Sequence, residues 1–360
     1  MALKRRSEQG KPASTGSTGS TNDFFEDIMT FINKGEVIPI ISNSLRIEQI
    51  FRQTSETADI ENEELTTDEE LTREWAKEIS YPMADDYNLP RVAQYFQVEQ
   101  KESLLAKAKY LKFLKDYLLD INKDEDGYQD VVSQIRPQEE NFSQIVQKLD
   151  YPRFPEGVED PLRLLAKLPL KIYVTTSYYN FMERALDAEK KQPRTRVIFL
   201  SSGNVSAKPE PSYEPSVTEP TVFHLYGLED HPQTLVLSED DFMDFLEKIT
   251  KDTNNQNPGV PLSLQAQLAE YRLILLGYRV QDWDFRVLFR FLLEYRVTNS
   301  VPRGMLIQLK PGAKQSGNKE KSIEYLSQYF DKKQFDVEWA NPEKFIRDLW
   351  NEWNKSRKGP

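Results

Sequence analysis

Four apolar runs of this chain each end in residues able to hold an anion or move a proton. Ser42-Asn43-Ser44 follows Val37-Ile38-Pro39-Ile40-Ile41 and precedes Leu45, Ile47, Ile50 and Phe51 at helical spacing. Small polar side chains let a backbone approach a phosphate, and a helix N-terminus adds N–H groups. The same residues also suit an ordinary helix cap. Thr175-Thr176-Ser177 closes the run Leu170-Lys171-Ile172-Tyr173-Val174. Its hydroxyls fit a ribose or phosphate, or a turn made with their own backbone.

In Phe223-His224-Leu225-Tyr226-Gly227, strand alternation puts His224 and Tyr226 on one side. An imidazole beside a strand-end glycine has the chemistry of a general base. A histidine within an apolar strand also fits a plain core position. His231, in Glu229-Asp230-His231-Pro232, reads as a turn residue without a role. The fourth ending is Gly277-Tyr278-Arg279, after Leu273-Ile274-Leu275-Leu276. Gly277 permits close approach to a ligand, and Arg279 suits a phosphate or simply the surface. Asp282 is expected to cap the next helix, with Trp283, Phe285, Leu288 and Phe289 against the sheet.

The elements that must position these endings are short strands alternating with helices, the pattern of an α/β fold. The spacing predicts a Rossmann-like, mostly parallel sheet with helices on both faces. Strands are expected at Val37–Ile41, Leu170–Val174, Val197–Leu200, Thr221–Tyr226, Thr234–Leu237, Leu273–Gly277, Met305–Leu309 and Phe335–Trp339. Helices are expected at Asp23–Lys34, Leu45–Phe51, Leu104–Ile121 and from Phe181, and Ser238-Glu239-Asp240-Asp241 reads as a capped helix start. Residues 1–22 read as a disordered tail, 23–356 as one α/β domain with a helical insertion at about 66–167, and 357–360 as a second tail. Pro209, Pro211, Pro215 and Pro220 mark an irregular loop over 201–220. In such folds the carboxyl end of the sheet binds nucleotides, and all four polar endings belong there.

Composition sets further bounds. A formal charge of −11 over 360 residues argues against general affinity for nucleic acid or anionic membranes. There is no cysteine and there are two histidines, so disulfides, thiolate nucleophiles and cysteine-ligated metals are excluded and no metal site is expected. No apolar run reaches the length of a membrane span, and the basic start lacks an apolar signal core, so the expected location is the cytoplasm.

In order and content these motifs resemble the sirtuin-like fold, in particular bacterial sirtuin-like proteins of antiphage defence, over most of residues 23–356. The similarity is carried by Val37–Ile41, Tyr173–Tyr178, His224–Gly227 and Leu235–Phe242. It is most specific at Leu275–Tyr278 with Asp282–Arg286, and extends to Val337–Ala340 with Phe345–Trp350. The resemblance implies NAD as ligand or substrate. The implied cofactor-binding residues are Ser42, Asn43, Ser44, Thr175, Thr176, Tyr226, Gly277, Tyr278 and Arg279.

Active members carry Gly-Ala-Gly where this chain has Ser42-Asn43-Ser44, and Asn-x-Asp where it has Ser177-Tyr178-Tyr179. Their catalytic histidine directly precedes glycine, at the position of Tyr226. His224, Ser177 and Asn180 are the candidates to replace the lost groups. Protein-deacylating sirtuins carry a four-cysteine zinc module that this chain cannot form. The three departures favour binding of NAD or an ADP-ribose-containing nucleotide, within an antiphage system, over catalysis. One alternative is an NAD glycohydrolase that depletes cellular NAD by water attack as nicotinamide leaves. Another is a protein-interaction module, built on the insertion, with a vestigial pocket. A protein partner from a defence system and a homo-oligomer are both compatible with these readings.

Overall fold

Runs of Val, Ile and Leu that are buried on both faces favour parallel strands, and such runs build the middle of this sheet. A computed structural model describes residues 21–51, 66–123, 129–198, 214–251, 260–280, 282–296, 302–309 and 318–358. Its strands are β1 (Val37–Ile41), β2 (Ile172–Thr175), β3 (Arg194–Val197), β4 (Thr221–His224), β5 (Arg272–Leu276), β6 (Gly304–Gln308) and β7 (Phe335–Trp339). They form one seven-stranded sheet in the order β3-β4-β2-β1-β5-β6-β7, with every pair parallel. The expected Rossmann-like architecture is therefore present.

β1 lies at the centre. It pairs with β5 along all five residues, but with β2 only at Ile40–Val174 and Ile41–Thr175. Ser42 N–H points to β5, where it donates to the Leu276 carbonyl at 2.9 Å. Strand alternation then aims the missing N–H of Pro39 at β2, which accounts for the shorter ladder on that side.

Helices cover both faces. On one, helix Thr21–Lys34 packs on helix Pro342–Lys358, through Phe25 on Phe345 and an Asn33–Trp353 hydrogen bond. Helix Pro161–Lys167 joins the same layer. On the other, helices Glu239–Lys251, Leu262–Glu270, Trp283–Tyr295 and Lys319–Asp331 pack together, with Phe291 against Phe245 and Phe289 against Phe330. Right-handed crossovers explain the division: β1 leads leftward to β2 and β5 rightward to β6, so their connections take opposite faces.

Two expected strands differ. Thr234–Leu237 is not a strand; Pro232–Thr234 makes one 3-10 turn, and Val236 N–H gives a single bond to the Tyr226 carbonyl. Proline at the start of that run favours the turn over a ladder. β3 sits at Arg194–Val197, ahead of the apolar run Val197–Leu200, whose last two residues lie outside the described ones. As an edge strand with exposed Arg194 and Thr195, it carries no apolar signature. The first helix begins at Thr21 and the last runs to Lys358, so residues 21–22 and 357–358, expected in the tails, belong to helices. Residues 1–20, 201–213 of the proline-rich loop, and 359–360 are outside the described residues.

Between helix Ser44–Phe51 and β2 the chain forms helices Thr67–Glu78, Leu89–Gln100, Ser103–Asn122, Gln129–Gln134 and Phe142–Lys148 before Pro161–Lys167. No helix among the described residues is long and apolar enough to cross a membrane.

Gly277 shows how tightly the sheet's centre closes. It has φ of +78°, and a Cβ there would lie 3.0 Å from Leu45 Cβ and 3.4 Å from Ser42 Cβ. Gly277→Ala is therefore expected to destabilise the protein by about 1–3 kcal/mol, measured as a lowered midpoint in thermal or urea unfolding.

Candidate functional site

The strand register brings the four polar endings to one level. Ile41 pairs with both Thr175 and Leu276, and Thr175 pairs with His224. All four loops therefore leave the carboxyl edge of the sheet at the same height. The edge between β1 and β5, whose connections diverge to opposite faces, is the topological switch point.

Ser42, Asn43, Ser44, Thr175, Thr176, Ser177, Gly277, Tyr278 and Arg279 are brought together there. Thr175 Oγ1 donates to the Ile41 carbonyl at 2.9 Å and accepts Ser177 N–H at 3.0 Å. Ser177 Oγ donates to Asn43 Oδ1 at 3.2 Å, and Ser42 Oγ accepts Ser44 N–H at 3.2 Å. Thr176 and Tyr278 share a hydroxyl–hydroxyl bond of 3.1 Å. Tyr226 donates to the Asp284 carbonyl at 2.8 Å, with its ring edge-on to Phe242 and Phe245. Tyr178 donates to the Val236 carbonyl at 2.8 Å. Burial raises the pKa of Tyr178, Tyr226 and Tyr278, so these hydroxyls stay protonated.

His224 lies beneath this rim and is 0% exposed. Its Nδ1 faces the Ser177 carbonyl at 2.9 Å and its Nε2 faces Glu183 Oε1 at 2.8 Å. Both neighbours are acceptors, which is the environment of a doubly protonated imidazolium. Burial alone would lower the His224 pKa, but the charge and hydrogen bond of Glu183, with the Ser177 carbonyl, raise it above its ordinary value. Burial would likewise raise Glu183; His224 and a 2.8 Å bond from Thr195 bring it below the usual carboxylate range. In this arrangement His224 has no nitrogen open to water.

Asn180 stands apart from the rim network. It occupies the cap position of helix Phe181–Ala188 without a capping bond, and its Oδ1 accepts from Arg184 Nε at 2.7 Å. Asp282 also stands at a cap position without a side-chain bond, and Trp283 is exposed rather than packed on the sheet. Asp284, the next acid, bonds Phe285 N–H instead, at 2.7 Å. Phe285, Leu288 and Phe289 are buried as the spacing predicts.

The insertion folds over this edge. Ser44 Oγ donates to Asp68 Oδ2. Arg279 Nη1 donates to Glu69 Oε2 at 3.0 Å and to Thr66 Oγ1 at 3.2 Å, while its Nε lies 3.8 Å from Asp282. Further along, Lys107 pairs with Asp241 at 2.7 Å, and Glu229 accepts Phe142 N–H at 2.7 Å and the Ser143 hydroxyl. Burial pushes Asp68 up to about 6, relieved by Ser44 and worsened by Asp284 and Glu69. Burial also raises Asp282 and Asp284, and the charge of Asp284 raises Asp282 further.

Thr66, Asp68, Glu69, Glu183 and Asp284 are therefore parts of the site's surroundings that sequence reasoning missed. Thr66-Thr67-Asp68-Glu69 does carry a visible signal, the capping box at the start of helix Thr67–Glu78. Its second role, on Ser44 and Arg279, has no local signature.

The donor set at the rim is that of an anion site: hydroxyls, a helix start and one guanidinium. Its chemistry fits a nucleotide phosphate, although carboxylates of this chain now face Ser44 and Arg279. No curated protein matches the chain. Residues 171–333 match the family model of the SIR2-like domain, a span that holds three of the four rim loops and leaves out Ser42–Ser44 and the insertion. This match supports a sirtuin-like domain over residues 171–333, and SIR2-like domains are NAD-related.

Proposed function

We propose that the protein binds NAD or an ADP-ribose-containing nucleotide at the β1–β5 edge and does not turn it over. The observation that carries the first half is the common level of the four strand ends, which gathers hydroxyls and Arg279 at the switch point. Phosphate would be held by Arg279 and by Ser44 at the start of its helix; a ribose would exchange for the bonds that the Thr176 and Ser177 hydroxyls make to Tyr278 and Asn43. When bound, NAD would supply a labile nicotinamide–ribose bond. His224 is not a free base beside it, because both of its nitrogens are engaged. A setting in antiphage defence rests on the resemblance of the motifs to proteins of such systems.

A second reading, a protein-interaction role for the insertion, is favoured by exposed Val98, Leu104 and Leu105 on its helices. It is compatible with nucleotide binding and would make the bound nucleotide a signal to a partner.

Calorimetry with purified full-length protein tests the binding reading. Arg279→Ala is expected to weaken binding of ADP-ribose or NAD by roughly ten- to a hundredfold, the range for loss of a charge-assisted bond. In parallel, nicotinamide release from NAD is expected to be absent. Turnover that is lost in His224→Ala would replace the binding reading with the glycohydrolase.

The His224–Glu183 pair makes a separate pH prediction. The contribution from His224, whose pKa is raised, is full below its unfolded value of about 6.5 and is lost as pH rises through the folded value. The contribution from Glu183, whose pKa is lowered, is present above about 4.3 and is lost as pH falls through the folded value. Glu183→Gln should therefore cost most between about pH 4.3 and 6.5, on the order of 3 kcal/mol. The gap between variant and wild-type melting curves should narrow at higher pH.

A further inference from the structure

Helix Ser44–Phe51 has no acidic residue in its first turn, although its positive end opens at the switch point. The missing negative charge comes from elsewhere in the chain, as Asp68 on the Ser44 hydroxyl. Beside it, Glu69 holds Arg279, the rim guanidinium. Two carboxylates of the insertion thus occupy the two places where an anion would be recognised. We propose that Asp68 and Glu69 are internal stand-ins for ligand phosphate, so that the insertion closes its own nucleotide site and a nucleotide enters by displacing the first turn of helix Thr67–Glu78.

The proposal rests on the nucleotide reading and adds its regulation. Charge balance argues for exchange rather than addition. Asp68, Glu69, Asp282 and Asp284 already surround a single guanidinium, and Asp68 is pushed up to about 6 by burial and by Asp284 and Glu69. A pyrophosphate bearing two charges would be repelled by the carboxylates on Ser44 and Arg279, yet it can replace those two with no net change.

The displacement is local. Glu69 Oε2 accepts Thr66 N–H at 2.7 Å and the Thr66 hydroxyl at 3.0 Å, closing the capping box. Beyond this turn, Leu71, Thr72 and Trp75 are buried, and Lys107–Asp241 anchors a later helix of the insertion. Losing Arg279 and Ser44 therefore costs the first turn its outer contacts while the insertion stays attached.

The test uses the full chain with Asp68→Asn and Glu69→Gln combined. These changes remove charge at constant shape, and glutamine can still close a capping box. Exposed Glu70 supplies the control Glu70→Gln, which removes one charge from the same turn without touching the rim. By calorimetry the double variant should bind ADP-ribose about tenfold more tightly or better, as expected when a competing closed state is removed. Glu70→Gln should bind as wild type does. In wild type, ADP-ribose should speed hydrogen exchange at the amides of residues 69–72. Equal affinity of wild type and double variant, or slower exchange at those amides, would overturn the stand-in role and leave nucleotide binding intact. If neither protein binds ADP-ribose or NAD, the nucleotide reading itself fails and takes this inference with it.

Discussion

The last carbonyl of β1, at Ile41, accepts both Thr176 N–H at 3.1 Å and the Thr175 hydroxyl at 2.9 Å, while the next N–H along, Ser42, donates to Leu276. This small knot ties the ends of three strands level with each other. Without it the loops after β1, β2 and β5 would leave the sheet at different heights, and their hydroxyls would face solvent separately. Parallel pairing supplies the ladder; the side-chain hydroxyl of Thr175 adds a second bond to the carbonyl that ends it.

Buried charge is handled by the same logic throughout. His224 and Glu183 neutralise one another below the rim, and Arg46 meets Asp160 at 2.8 Å while Asp160 also caps helix Pro161–Lys167. Glu229 is pushed up to about 7 by burial, against hydrogen bonds from Phe142 and Ser143 that favour its charge. In each case one ion joins segments distant in sequence. Breaking such a pair leaves a desolvated charge, which costs more than the pair gained by forming.

Much of the sheet was legible in the sequence for one reason: β1, β2, β4, β5 and β6 are buried strands, and burial on both faces writes a continuous apolar run. β3 was misplaced because an edge strand has no such requirement, and its Arg194 and Arg196 resemble a loop. The polar endings are legible because small hydroxylated residues directly follow two apolar runs and a glycine marks the end of the other two. The role of His224 was not, because its partner Glu183 lies on a helix 41 residues earlier, with no spacing rule linking them. Likewise the capping box of Thr66 and Glu69 was readable in isolation, while the hold of Glu69 on Arg279, 210 residues later, belongs to tertiary packing alone.

The central place of β1 has a consequence for dissection of the chain. β3, β4 and β2 form one wing of the sheet, and β5, β6 and β7 the other, with β1, among the described residues, the only strand that touches both. The family match begins at residue 171, after that strand has passed. A fragment cut to the matched segment would lack β7 as well and hold two separate pieces, β3-β4-β2 and β5-β6, with bare inner edges at β2 and β5, each an open template for pairing with a stranger. The joining of the two wings therefore depends on five residues near the start of the chain, Val37–Ile41, that the match does not contain.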